Sequence, residues 1–291
     1  MKICYQTSNL FGRFDWDTAV RWLAEAGFDA LDYSMFTGEC FPHENDDAER
    51  HAEKVLPIVQ KYGLHFHQAH APFPSNIPGN EEYNRMIPAC IRKSFEVAGL
   101  LGVSQVVVHP FKAAGSRDAV MEANFRFYES LAEAAQKAGV KIAVENVWDL
   151  DESGRIVPLG CADAEEMAEL IDRLDPGIFT VCLDIGHCGL VGMKAEDAIR
   201  TLGHKRLGAL HVHDNDGHAD LHLLPYTPGC VIDWEGVTDA LGAIDYTGYF
   251  TFEADTFICR GTPDVIPAML EYSAKVGRIL ADRAEAARRM R

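Results

Sequence analysis

Short apolar runs and longer amphipathic stretches alternate along the whole chain. The runs KICYQ, FDALDY, LHFHQA, VSQVVVH, VKIAVE, FTVCLD, LGALHVH and YFTFE read as eight strands, and VVV and IAV have the unbroken apolar character of parallel strands buried on both faces. Between them, residues 17–26, 46–62, 81–101 and 118–138 have a helical spacing of apolar positions, and a last helix is predicted over 263–286. Four of these helices end at a glycine, Gly27, Gly63, Gly102 or Gly139, directly before a strand. A residue that follows a helix often needs the left-handed backbone, which glycine adopts without strain. Repetition of this unit eight times predicts a closed α/β barrel, a (β/α)8 TIM barrel, as one domain over residues 1–291. An open doubly wound sheet is the competing architecture, but NLFGRF stands after the first strand in place of a GxGxxG loop.

Six of the runs stop at a residue that can ligate a metal: HFHQAH at His70, VVVH at His109, IAVE at Glu145, FTVCLD at Asp184, LGALH at His211 and YFTFE at Glu253. One such residue at a strand end is as readily a cap or a solvated side chain as a ligand. Six from separate strands are different, because the carboxyl ends of barrel strands converge on one mouth. The connections after strands three, five and seven, HAPFPSNIPGN, VWDLDESGRIVPLG and DNDGHADLHLLPYTPGC, are long and polar, and they lie on that predicted active face.

Composition narrows the function. The chain holds 44 acidic against 27 basic residues, a formal charge of −17, which repels polyanions and argues against a nucleic-acid partner. No apolar stretch approaches the roughly 20 residues of a membrane span, and MKICYQTSNLFGRFDW lacks the apolar core of a secretory signal. A cytoplasmic protein with no membrane partner is expected. Its eight cysteines are scattered without a CxxC pair, so no structural disulfide is expected.

Glu145, Asp184, His211 and Glu253, one from each of strands five to eight, form the predicted centre. Three carboxylates and one imidazole suit one hard divalent ion, manganese first, with magnesium, cobalt or zinc as alternatives. A carboxylate near such an ion can also serve as a base, so proton transfer is the expected chemistry.

HAPF at His70, VVHP at His109, VEN at Glu145, CLDIGH ending at His187, HVHDND at His211 and DLHLLPYTPGCVIDW together resemble the xylose-isomerase-like barrel superfamily of sugar isomerases and epimerases. The resemblance runs nearly end to end. It implies that Glu145, Asp184, His211 and Glu253 hold one metal and that Glu145 and Glu253 are the acid and base flanking the substrate carbon. It further implies a metal-stabilised enediolate, with a hydride shift as the other route. His187 is then a substrate contact, with His70, His109, Asp220 and His222 beside it. Trp148, directly after VEN, would offer an apolar wall, which Tyr5, Phe36, Phe73 and Phe111 could complete. The implied substrate is a small sugar or keto acid, unphosphorylated because Lys112 is the one cation near the mouth. Dimers and tetramers are common in the superfamily, and the residues carry no interface signal that chooses between them.

One position departs from the pattern. Ketose 3-epimerases of this group carry an arginine six residues after the metal-binding histidine, where this chain has Gly217. Two alternatives stay open. Endonuclease IV, in the same superfamily, matches this chain at nine ligand positions, His70, His109, Glu145, Asp184, His187, His211, Asp220, His222 and Glu253, which would form a trinuclear zinc phosphodiesterase. A non-catalytic sugar-binding barrel is the other, although loss of a glutamate would be expected there. His43, His51, His65, His67, His204 and His218 read as surface or packing residues, and His213 as a ligand only if its strand bulges.

Overall fold

The computed structural model describes residues 1–290. Eight parallel strands, Lys2–Gln6, Ala30–Ser34, Phe66–His70, Gln105–Val108, Lys141–Glu145, Phe179–Asp184, Leu207–His211 and Tyr249–Phe252, pair in chain order, and the last returns to the first. The remaining seam, between the seventh and eighth strands, is closed by a parallel bridge from Val212 to Phe252. The sheet is therefore a (β/α)8 barrel, as the strand pattern predicts.

Period-two alternation explains both the core and the site. Ile3, Tyr5, Leu31, Tyr33, Val106, Val108, Ile142, Val144, Val181 and Leu183 point outward and are buried with the helix faces in one continuous core. The opposite parity points into the barrel. There Val107, Ala143, Cys182 and Ala209 form a small separate apolar layer. One step further toward the mouth, the same parity brings in His109, Glu145, Asp184 and His211.

The four glycines after the predicted helices have φ of 95°, 72°, 73° and 72°, and Gly27 and Gly139 are left-handed C-caps, as expected. Helix starts are fixed by Asp15, Asp47, Asn80 and Ser116, whose side chains accept hydrogen bonds from the first turns. Three details differ from the sequence reading. The stretch 118–138 is two helices, Arg117–Glu129 and Ala132–Ala138, broken at Ser130 and Leu131. The last long helix spans Ile266–Arg289, after a short turn of helix at Asp255–Ile258. The connection after the fifth strand carries a small antiparallel hairpin, Trp148–Leu150 with Ile156–Pro158. Among the described residues no helix is long and apolar enough to cross a membrane, and the eight cysteines are unpaired.

Candidate metal centre

All six strand-end residues meet at the mouth, and they fall into overlapping groups. Glu145, Asp184, His211 and Glu253 are all buried, and one ligand atom of each lies within 4.8 Å of those of the others. His211 Nδ1 is the hub: it sits 2.8 Å from Glu145 Oε1, 3.3 Å from Glu253 Oε2 and 3.8 Å from Asp184 Oδ2. The second oxygen of Glu145 faces the other way, 3.3 Å from His70 Nε2 and 3.0 Å from His109 Nε2. His70 is oriented by its Nδ1, which donates to the Ala71 carbonyl at 2.8 Å. Glu145 thus bridges a carboxylate-rich centre on the barrel axis and a pair of imidazoles from strands three and four.

A second cluster stands at the rim. Asp220 lies between His187 Nε2 and His222 Nε2, each 3.3 Å away, and it accepts a hydrogen bond from Trp148 Nε1 at 3.0 Å. His213 completes this group. Its strand does carry an irregularity, where Val181 faces Leu207 and Cys182 faces Ala209, just before His211. Alternation returns residue 213 to the face of His211 one step further along, where its Nε2 reaches Asp184 Oδ1 at 2.9 Å and its ring stacks on His222 at 4.1 Å. His213 is fully buried and belongs to the site, which corrects its omission from the sequence-derived set.

Local backbone supports this packing. A Cβ on Gly186 would lie 2.1 Å from the His213 ring, so the glycine of CLDIGH is the space into which the imidazole fits. His222 holds φ of +46°, a costly conformation for a side-chain-bearing residue, while its Nδ1 donates to the Glu253 carbonyl at 2.9 Å. The Asp184 side chain caps the short helix Ile185–Leu190 by accepting from the His187 amide at 2.7 Å, and Asn146 bonds the Asp184 backbone at both its amide and its carbonyl.

The two glutamates differ in proton affinity. Burial alone would raise the Glu145 carboxyl, but His211 and His109 hold it well below the usual range. Burial together with the charge of Glu145 pushes Glu253 up to about 7, although His211 opposes this. At the rim, burial would lower both His187 and His222, yet Asp184 and Asp220 raise His187 to about 9, and Asp220 raises His222 to about 10. Burial lowers His109 and His213 below the ordinary imidazole value.

The donor set fits a divalent cation. Three buried carboxylates share one imidazole on the axis, a negative excess in a desolvated place that a dication would offset. No cysteine takes part, in keeping with a hard or borderline ion.

Above these residues lies a cavity of about 490 Å³, within the roughly 300–1,000 Å³ that small-molecule sites occupy. Its walls include Gln6, Ser8, Phe36, Phe73, Trp148 and Thr256, and no Lys or Arg lines it. Trp148, Phe36 and Phe73 lie on these walls. Tyr5 and Phe111 do not: Tyr5 is buried in the outer core with its hydroxyl donating to the Ala254 carbonyl, and Phe111 packs on Phe127. Lys112 turns aside to pair with Asp149 at 2.7 Å. Gly217 lies off the cavity, with φ of +76°. Sequence reasoning also missed Gln6, which donates to Glu253 Oε1, and Asp32 and Gln68, buried beneath His211. Their signal was present as polar residues of interior parity inside apolar runs.

Comparison with known proteins agrees with this architecture. A family model described as xylose isomerase-like TIM barrel matches residues 20–275. The uncharacterized protein y4fM of Sinorhizobium fredii is 25% identical over 276 residues, covering 82% of this chain and 84% of that one. Among solved structures, a D-tagatose 3-epimerase-like protein superposes with a TM-score of 0.74 at 22% identity over 100% of this chain and 99% of its own. The IOLI protein, solved with a bound zinc atom, gives 0.69 at 16% identity over 99% of each chain.

Proposed function

The chain belongs to the xylose isomerase-like TIM barrel family, and we propose that it is a divalent-metal-dependent isomerase or epimerase of a small unphosphorylated sugar or hydroxy-keto compound. The observation that carries this reading is the pair Glu145 and Glu253: both are buried at the floor of a small-molecule cavity, on either side of His211 Nδ1, with proton affinities driven apart. Two titratable groups held at different affinities in one site are the usual arrangement for acid–base work.

Glu145, Asp184, His211 and Glu253 would hold the ion, manganese in the first place. When bound, a divalent ion there supplies Lewis acidity toward the adjacent oxygens of a hydroxy ketone. Glu253 exchanges a proton with the substrate carbon, and Gln6 fixes its carboxyl by donating to Oε1. Glu145, kept ionised by His211 and His109, faces the same space and receives or returns the proton from its own side. Delivery to the opposite face of the same carbon epimerises, and delivery to the neighbouring carbon isomerises. Trp148, Phe36 and Phe73 exclude water along one wall, and His187 and Asp220 offer polar contacts to hydroxyls. The absence of Lys and Arg from the cavity wall supports a substrate without phosphate. The D-tagatose 3-epimerase-like and IOLI likenesses support a barrel of this kind, while Gly217 argues for substrate contacts unlike those of ketose 3-epimerases.

A second reading rests on a specific observation. Three ligand groups, with Glu145 shared between two of them, give this chain places for three ions, the arrangement of a trinuclear zinc phosphodiesterase. The cation-free cavity and the charge of −17 weigh against a phosphodiester substrate. Metal content and solvent labelling separate the two. About one ion per chain, with deuterium from solvent entering a ketose or aldose at carbon, is the outcome expected here. Three zinc ions per chain with cleavage of abasic-site DNA and no sugar labelling would replace it with the phosphodiesterase.

A further inference from the structure

Five buried polar side-chain atoms on inward-facing strand positions have no hydrogen-bond partner: Asp32 Oδ1, Ser34 Oγ, Gln68 Oε1, His211 Nε2 and Thr251 Oγ1. Unpartnered groups of this kind are rare in a folded protein and call for an explanation. Asp32 is fully buried on the second strand, and His211 Nε2 lies 3.6 Å from its Oδ2. That separation is too long for a hydrogen bond and too short for a water to stand between the two atoms. A small tilt of the His211 ring closes it. The other face of Oδ2 is held by Gln68 Nε2 at 3.0 Å, and the strand carrying Asp32 is pinned by Thr7, whose amide and hydroxyl both donate to the Asp32 carbonyl. The carboxylate is therefore fixed, and the imidazole is the part that moves.

We propose that Asp32 is a positioning residue for the candidate metal centre: its carboxylate accepts the Nε2–H of His211 and so leaves Nδ1 as the nitrogen offered to a divalent ion. This rests on the metal-site reading above and adds a residue and a direction to it. The logic is geometric. His211 has carboxylates at both ring nitrogens, Glu145 and Glu253 at Nδ1 and Asp32 at Nε2. A cation can take the place of a proton only at Nδ1, where three carboxylates converge, so the Nε2 proton must remain and must have an acceptor. A carboxylate behind a ligating imidazole fixes its tautomer and raises its basicity, and loss of such a partner typically weakens metal affinity by about 10–100-fold. Asp32 lies too deep to touch a substrate in the cavity, whose walls do not include it.

The test uses the full chain with zinc and with manganese. Titration calorimetry of wild type and Asp32→Asn should show the variant binding about 10–100-fold more weakly, with its metal-free thermal midpoint and circular dichroism close to wild type. Equal affinity in a folded Asp32→Asn overturns the inference and leaves the metal centre standing. If the variant does not fold, nitrogen-15 histidine spectra of zinc-loaded wild type decide instead. The expected spectrum has His211 protonated at Nε2 and ligated at Nδ1, and the reverse tautomer overturns the proposal. Wild-type protein that binds neither metal would remove the centre itself, and the role of Asp32 with it.

Discussion

The two clusters at the mouth are built from the same residue types in opposite proportion. On the axis, three carboxylates surround one imidazole; at the rim, three imidazoles surround Asp220. The axial cluster carries excess negative charge in a fully buried place, which a cation would offset and its histidine partly compensates. The rim cluster has its own compensation, with Asp220 held far below the usual carboxylate range, against the cost of burial, by His187 and His222. Residue types alone therefore mark a site, while their ratio and depth set what it can bind. Asp184 joins the two, since Oδ2 faces His211 at 3.8 Å and Oδ1 faces His213 at 2.9 Å.

The sharpest way to break this contrast is to disable the axis alone. Glu253→Gln keeps the shape but removes the titrating group, and turnover should fall on the order of 10²–10⁴-fold, the scale of acid–base catalysis. Solvent-label exchange in deuterated water measures it. Retention of full exchange would remove Glu253 from the chemistry.

Next in size is Gly186→Ala, which strikes the link between the clusters. Its new Cβ would meet the His213 ring at 2.1 Å. The ring can yield only by leaving Asp184 or His222, so a loss of about 1–3 kcal/mol by urea denaturation is expected, the usual cost of overpacking. Weakened metal binding should accompany it. An unchanged midpoint and unchanged affinity would show that His213 does not couple the two.

Asp220→Asn tests the rim by itself. It removes the charge that holds His187 and His222, and any ion bound there should be lost, while the axial ion stays within about tenfold of its original affinity, a coupling expected of neighbouring but separate contacts. Metal analysis on dialysed protein reads both at once. Loss of all metal would mean that the clusters are one site.

The clusters also differ in how pH acts on them. In metal-free protein Glu253 is raised from 4.5 to about 7, so the folded state binds more protons than the unfolded one between those values and stability falls as pH rises through them. His187 and His222, raised from 6.5 to about 9 and about 10, contribute stability that is complete below 6.5 and is lost as pH climbs to those values. The depressed Glu145 and Asp184 act the other way in acid, and the depressed His67, His109 and His213 act the other way up to about pH 6.5. Thermal midpoints of the metal-free protein should therefore decline from about pH 7 to pH 9, and a divalent ion should flatten the decline by replacing the protons. A midpoint that rises over that range would contradict the assignment.

The barrel was legible because its signals are local and repeated. An apolar run of strand length, a glycine after each of four helices and a ligand-type residue at six strand ends each follow from one short stretch of chain, and their order fixes which strands adjoin. Details that depend on neighbours were not. The break at Ser130 and the hairpin around Trp148 come from packing and turn geometry that no period in the sequence records. His213 was set aside because sequence gives its parity but not its depth, and depth decides whether it meets His211's ligands or the rim. Asp32 and Gln68 hid inside runs that read as strand, since a polar residue of interior parity looks the same whether it supports a site or fills a barrel. By itself, then, the sequence determined the fold, the mouth and the residue types gathered there, through periodicity and strand polarity. Only the tertiary structure decided how those residues divide into an acid-rich axis and an imidazole-rich rim, because that division depends on ångström distances between strands far apart in the chain.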